Sequence, residues 1–218
     1  MIWDWAFAWS ILPFLLQGLW VTVEITLVGM VIALVVGLVV AVLRFSAIPV
    51  VSRVFDFYVL FIRGTPLLVQ AYFAFFVLPG FGIKFSALVT GIVVIGINYS
   101  AYTAEVYRAG IQGVRTGQWE AGTALSLSTL DRWRFVVLPQ AVRDVVPVLG
   151  NYWVQMFKDS AILSAITVFE LLSHATSVGS ESYRYLEPLT IAGVLFLAVS
   201  LPAARLIKRL ELRLAHPR

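Results

Sequence analysis

Residues 118–139 read QWEAGTALSLSTLDRWRFVVLP, a polar stretch that lies between long apolar runs. Residues 118–125 are mostly small or helix-forming, so they predict a short helix. Residues 126–129 predict a turn, because hydroxyl side chains compete with helical backbone hydrogen bonds. The pair Leu138-Pro139 predicts the start of another helix, since proline is tolerated in a first helical turn. We therefore predict that residues 118–139, called the knob below, form an exposed helix–turn–helix on a hydrophobic protein.

The rest of the chain has the composition of an integral membrane protein. Of its 218 residues, 60% are hydrophobic and 13% are charged, and the mean hydropathy is +0.90. In soluble domains about a quarter of the residues are charged. The apolar runs are long enough to be membrane helices rather than barrel strands. The chain has no cysteine, which excludes a disulfide framework and a thiolate metal site.

The distribution of apolar runs predicts an all-α membrane protein with a single domain over residues 1–218. Five transmembrane helices are predicted at residues 18–43, 56–78, 85–107, 145–172 and 188–207, with a polar loop at residues 108–144. Residues 1–17 are rich in tryptophan and lack a basic residue, so we expect an uncleaved interfacial segment rather than a signal peptide.

The basic residues predict the orientation of these helices. Nearly all of them follow the first, third and fifth predicted spans, including the tail that ends at Arg218. Basic loops are retained in the cytoplasm, so we expect the N-terminus outside and the C-terminus in the cytoplasm. The net charge of +4 is explained by this orientation, and no nucleic-acid partner is expected. The knob would then face the cytoplasm.

Motifs for catalysis are absent from the sequence. There is no G-x-x-x-x-G-K-[ST] phosphate-binding loop and no G-x-S-x-G, and the two histidines, His174 and His216, are far apart. We therefore expect that the chain is not an enzyme and itself binds no cofactor or metal. If ATP drives its function, another subunit must hydrolyse the ATP.

Polar residues inside the predicted spans are candidates for a solute path, because ionisable groups there usually face the bundle interior or a water-filled cavity. Arg63 precedes Gly64-Thr65-Pro66, which should loosen the helix and free backbone carbonyls. The alternative is that Arg63 extends to the membrane surface from a span that begins later than residue 56.

A second polar interruption, Lys158-Asp159-Ser160, lies in the fourth predicted span. These residues either bring polar groups to the path, or they attach the helix to a neighbour or mark the membrane edge. The two adjacent opposite charges can neutralise each other at modest cost. Tyr99 and Tyr102 either line the path or pack between helices.

The knob resembles the coupling motif of ABC importer permeases, E-A-A-x(3)-G-x(9)-I-x-L-P. Glu120 and Ala121 match the start of the motif, and Leu138-Pro139 match its end. The knob departs from the motif at three positions, which carry Gly122 in place of alanine, Ser126 in place of glycine and Val136 in place of isoleucine. A turn with positive φ is less favourable for serine than for glycine.

Three further runs are similar to the polar amino-acid branch of these permeases: FIRGTPLLVQ at residues 61–70, YTAEVYRAG at residues 102–110 and KDS at residues 158–160. Within this branch, residues 81–83 and 183–188 look like permeases for ectoine and hydroxyectoine. The resemblance implies a type I ABC importer permease fold in a bacterial inner membrane. It also implies alternating access for a polar amino acid or a related zwitterion such as ectoine or hydroxyectoine.

The same resemblance implies partners and roles. Expected partners are two ATPase subunits that carry ATP and Mg, an extracytoplasmic solute-binding protein, a second permease subunit (identical or a sister) and membrane lipid. The expected ATPase-coupling residues are Glu120, Ala121, Gly122, Ser126, Leu138 and Pro139. The candidate solute-path residues are Arg63, Thr65, Tyr99, Tyr102, Lys158, Asp159 and Ser160. The alternative function from the residues alone is a self-contained secondary transporter or channel.

Overall fold

The computed structural model describes residues 3–214, and no β-strand occurs among them. Met1, Ile2 and residues 215–218, with Arg218 of the predicted basic tail, lie outside the described residues. The α-helices are α1 (Trp5–Arg44), α2 (Pro49–Gly64), α3 (Leu67–Tyr72), α4 (Ala87–Gln112), α5 (Thr116–Ala124), α6 (Thr129–Asp131), α7 (Leu138–Asp159), α8 (Leu171–Ser182) and α9 (Leu186–Leu214). Two π-helical turns lie at Phe73–Val77 and Arg132–Val137, and two 3₁₀ helices at Leu78–Phe81 and Ser160–Ile166.

Helix α1 begins at Trp5 rather than at residue 18, so the expected start of the first helix is wrong, whereas the interfacial location of residues 1–17 stays a prediction. Asp4 caps the helix by accepting a hydrogen bond from the Phe7 amide (3.1 Å). This bond and the neighbouring Arg184 hold the pKa of the Asp4 carboxyl below its ordinary value. Ile11 and Leu15 are buried in a cluster with α8 and α9, which stabilises the early turns. The 40-residue helix is about 60 Å long, roughly twice the thickness of the hydrocarbon core.

The pair formed by α1 and α4 lies at the centre of the bundle. Gly29, Ala33, Gly37 and Ala41 recur every four residues on α1, and all four are buried. Small residues at this spacing let helix backbones approach closely in a membrane protein. Thr103 of α4 uses this proximity, since its Oγ1 donates to the Ala33 carbonyl at 2.7 Å.

The second predicted span, residues 56–78, is two helices rather than one. Helix α2 ends at Gly64, the next helical segment begins at Leu67, and the chain bends by 103° between them. The prediction that residues 64–66 interrupt the helix is thus confirmed. Gln70 satisfies the freed backbone, because its Nε2 donates to the carbonyls of Ile62 (2.8 Å) and Thr65 (3.2 Å).

The fourth predicted span, residues 145–172, is also interrupted. Helix α7 begins at Leu138 and ends at Asp159, and a 3₁₀ helix follows. Thr167 then has a φ of 63°, and α8 continues at an angle of 49°. Residues 173–182, which lie between the fourth and fifth predicted spans, are therefore helical.

By length and composition, three described helices are able to cross a membrane: α1, α4 and α9. The number of spans is five if each of the two bent pairs counts as one. The five-span topology and the orientation of the termini stay predictions.

Candidate functional site

A polar cavity of about 420 Å³ lies where the break between α2 and α3 meets α4 and the C-terminal half of α7. Its lining consists of Arg63, Gly64, Thr65, Pro66 and Leu67 from the break, Asn98, Tyr99 and Tyr102 from α4, and Tyr152, Gln155 and Asp159 from α7. Five of the seven solute-path candidates are thus brought together around one space: Arg63, Thr65, Tyr99, Tyr102 and Asp159. Their role in transport stays a prediction.

Asp159 is held at the cavity by a tyrosine. The hydroxyl of buried Tyr99 donates to Asp159 Oδ2 at 2.7 Å. The rings of Tyr99, Tyr102 and Tyr152 lie with their centroids 5.7–6.2 Å apart. Aromatic side chains at such separations pack favourably and have few rotamers to choose from. The carboxylate is therefore presented from a stiff aromatic wall.

Arg63 lies at the end of α2, and its side chain is 45% exposed. Its guanidinium carbon is 5.3 Å from the centroid of the Tyr102 ring, within the range of a cation–π interaction. Its Nη1 is 3.8 Å from Glu105 Oε1. Arg63 also lines a neighbouring cavity of about 450 Å³ beside Glu105, so this side chain borders two polar spaces.

Glu105 is the centre of an ion-pair cluster that joins α1, α2 and α4. It accepts from Arg44 Nη1 at 2.8 Å and from Arg108 Nη2 at 2.9 Å. Arg44 also pairs with Asp56 at 2.6 Å. Arg63, at 3.8 Å, is the most distant of the three arginines around Glu105, so its ion pair with Glu105 is the weakest. The Arg63 guanidinium therefore keeps hydrogen-bond donors for other groups.

Lys158 and Ser160 do not line the polar cavity, although both were candidates for the path. Lys158 is exposed, and Ser160 is buried with its hydroxyl donating to the Phe157 carbonyl at 2.8 Å. Adjacent residues of a helix do not face each other, and no ion pair joins Lys158 to Asp159 in the described part of the chain. The expected mutual neutralisation of these two charges is therefore wrong.

Three polar residues of the cavity were not selected from the sequence: Asn98, Tyr152 and Gln155. A signal for the last two exists, since Tyr152, Gln155 and Asp159 are spaced three and four residues apart and share one helix face. Asn98 donates to Gln70 Oε1 at 3.1 Å, a contact between distant segments that has no local signal.

The knob is a helix–turn–helix, as its sequence predicts, but the start expected at Leu138-Pro139 is wrong. The second helix begins at Thr129, where Ser128 caps it by accepting from the Asp131 amide (3.1 Å), and it continues through the π-helical turn into α7. Helix α5 ends at Ala124, and Leu138-Pro139 lies inside the second helix rather than at its start. Glu120 and Ala121 are exposed, whereas Gly122 is buried. The role of these residues in ATPase coupling stays a prediction.

Ser126 has a φ of 54°, the left-handed conformation that favours glycine. Its amide donates to the Thr123 carbonyl (2.9 Å), and the Leu127 amide donates to the Gly122 carbonyl (3.1 Å). This pair of bonds is the Schellman arrangement that ends many helices. The serine therefore occupies the strained turn position at which the coupling motif has glycine.

No group of three or more His, Cys, Asp or Glu side chains that could hold a metal ion is found among residues 3–214. The polar cavity has one carboxylate and one guanidinium, a set suited to a charged organic solute rather than to a cation alone.

Comparison with known proteins places this architecture in a family. The family model described as "Binding-protein-dependent transport system inner membrane component" matches residues 33–216. A probable amino-acid ABC transporter permease of Sinorhizobium fredii is 43% identical over 209 residues, covering 96% of this chain and 90% of the relative. The glutamine transport system permease of Escherichia coli K12 is 33% identical over 216 residues, covering 98% and 99%.

A solved structure gives the same result at the level of the fold. It is described as an amino acid ABC transporter with histidines, and it superposes with a TM-score of 0.93 at 36% identity, covering 98% of this chain and 100% of that chain. The described residues thus have the all-helical type I ABC importer permease fold. The chain belongs to the family of binding-protein-dependent transport system inner membrane components, the permease subunits of ABC importers.

Proposed function

We propose that this chain is the permease subunit of an importer for a polar amino acid or a closely related zwitterion, which crosses the membrane through the polar cavity. The observation that carries the proposal is the presence of Arg63 and Asp159, from different helices, on the wall of one space of about 420 Å³. Pockets for small ligands have volumes of roughly 300–1,000 Å³. The relatives named for amino-acid and glutamine transport support the same class of solute.

A zwitterion requires a hydrogen-bond donor for its carboxylate and an acceptor for its cationic group. The planar guanidinium of Arg63 can donate two parallel bonds to a carboxylate, and charge-assisted bonds are about twice as strong as neutral ones. Asp159 accepts from Tyr99 through Oδ2 only, so its Oδ1 can accept from an ammonium group. Lys158 lies outside the cavity, so the proposal gives it no part in balancing the negative charge of Asp159.

Ectoine and hydroxyectoine remain finer candidates within this proposal. The two runs that suggest them, residues 81–83 and 183–188, do not line the polar cavity. They lie at turns, where Gly82 has a φ of 84° and Tyr183 a φ of 55°. The side chains that would contact the solute therefore give no preference for ectoine over an amino acid.

The proposal includes partners and a mechanism. Two ATPase subunits, with ATP and Mg, would bind at the knob, with Glu120 as an exposed charged contact. A second permease subunit would complete the path, and an extracytoplasmic binding protein would deliver the solute. ATP binding would move α5, and the motion would pass to the helices as near-rigid bodies that alternate access to the cavity. The setting is a bacterial inner membrane with its lipid.

The test is solute uptake into proteoliposomes that contain the complete transporter, with arginine, glutamine and ectoine assayed separately. We expect Arg63→Gln and Asp159→Asn each to lower uptake at least about tenfold, because a lost hydrogen bond to a charged group is worth about 1.5–3 kcal/mol. Lys158→Gln is the matched control, since it removes a neighbouring charge outside the cavity, and its uptake should equal that of the parent. Parental uptake of all three solutes by both cavity variants would refute the proposed path.

A further inference from the structure

Within the knob, the side chain of Arg132 lies against α5 at Gly122. A Cβ atom built at residue 122 would be 3.1 Å from Arg132 Cδ and 3.2 Å from Cγ. At Gly117, in the same helix, a Cβ atom would meet no other atom within 4 Å. The missing side chain at residue 122 therefore leaves space that Arg132 fills.

Arg132 is also hydrogen-bonded to the last turn of α5. Its Nη1 donates to Thr123 Oγ1 at 2.6 Å, and the Thr123 carbonyl accepts the Ser126 amide that closes the turn. The Arg132 Nε is buried and has no acceptor within residues 3–214. A buried donor without a partner is unfavourable, so packing against Gly122 and the bond to Thr123 must together hold the side chain in this position.

The other half of α5 is attached to the following helix by different contacts. The rings of Trp119 and Trp133 meet edge to face, with centroids 5.3 Å apart. Gln140 of α7 donates to Gln118 at 3.2 Å. Helix α5 is thus fixed at both ends, and at its C-terminal end Arg132 is the fixing residue, next to the strained Ser126.

We propose that Arg132 is a positioning residue that holds the C-terminal turn of α5 in register with α7, and that Gly122 is required because it admits the arginine. The inference rests on the coupling role given to the knob under the proposed function. In this arrangement the arginine stabilises a turn in which serine adopts a positive φ. Two departures from the coupling motif, Gly122 and Ser126, are then explained by one side chain.

Hydrogen–deuterium exchange of the assembled transporter in nanodiscs tests the positioning, because it reports on the turn without solute or ATP. We expect the backbone amides of residues 125–127 to exchange at least about tenfold faster in Arg132→Met and in Gly122→Ala. The second variant acts through the Cβ atom that displaces the arginine. Gly117→Ala is the matched control and should leave the exchange rate unchanged. Ser126→Gly should restore slow exchange in the Arg132→Met background, because glycine adopts positive φ without strain.

The number of solute molecules moved per ATP hydrolysed is the second measurement. We expect this ratio to fall in Arg132→Met and to recover with Ser126→Gly. Unchanged exchange in both Arg132→Met and Gly122→Ala would overturn the positioning role, whatever the transport result. Faster exchange with an unchanged ratio would support the positioning role and would refute the coupling role of the knob. A loss of slow exchange that Ser126→Gly does not repair would overturn the link to the strained turn.

Discussion

Asp159 shows, at the scale of single residues, how one position decides whether a charged group reaches the cavity. Lys158, Asp159 and Ser160 are equivalent candidates in the sequence. Successive residues of a helix are rotated by about 100° around its axis, so the three side chains point in different directions. Asp159 shares the face of Tyr152 and Gln155, whereas Lys158 is exposed and Ser160 bonds to its own backbone.

Tyr99→Phe should lower uptake about three- to tenfold without affecting assembly. The substitution removes the hydroxyl that orients Asp159 (2.7 Å) while it keeps the ring of the aromatic wall. Initial uptake rates in proteoliposomes provide the measurement, and size-exclusion chromatography of the complex checks assembly. Tyr72→Phe, at an exposed ring, is the control. If Tyr99→Phe and Tyr72→Phe transport equally well, Tyr99 does not orient a functional carboxylate.

The break between α2 and α3 is the feature that matters most at the scale of elements. Proline and the preceding residue interrupt the helix for steric reasons, so the position of the break follows from the sequence. Gln70 makes the interrupted backbone tolerable by bonding to two of its carbonyls and by accepting from Asn98. Lipid-exposed irregular backbone does not occur in the hydrocarbon region, so irregular backbone there must be satisfied by protein or by a water-filled cavity.

Gln70→Leu should therefore destabilise the chain. It removes the Gln70 donor from the carbonyls of Ile62 and Thr65, and only the Ile62 carbonyl keeps a second, longer bond, from Thr65 Oγ1 (3.4 Å). An unsatisfied buried group costs about 1–3 kcal/mol. We expect a lower melting temperature of the purified transporter, measured by tryptophan fluorescence on heating in detergent. Gln17→Leu on α1, whose side chain is exposed, is the control with the same chemical change. Equal melting temperatures for the two variants would show that the break does not depend on Gln70.

Orientation is a property of the whole molecule, and it is predicted from charge placement. The knob and the basic end of α9 should lie in the cytoplasm, with α8 on the outer side, because loops rich in Lys and Arg are retained inside. The break at residues 64–66 and the bend after α7 do not alter this order if each bent pair is one span. Alternating access through the polar cavity requires that the knob and α8 lie on opposite sides.

Cysteine labelling tests this orientation directly, because the chain has no native cysteine. Single cysteines at Leu130, which is 74% exposed on the knob, and at Ser180 on α8 are treated in intact cells with a membrane-impermeant thiol reagent. We expect labelling at residue 180 in intact cells, and at residue 130 only after the membrane is permeabilised. Labelling of residue 130 but not of residue 180 in intact cells would reverse the topology.

The membrane class, the all-α content, the helix–turn–helix of the knob and the interruption after Arg63 were all predictable from the sequence. Composition, proline sterics and turn chemistry act within a few residues, so they are readable without a fold. The tertiary structure was needed to see that Arg63, Tyr99 and Asp159 share a cavity while Lys158 does not, and that Arg132 fills the space at Gly122. These outcomes depend on helix rotation and on contacts between segments far apart in the chain, which local pattern does not specify.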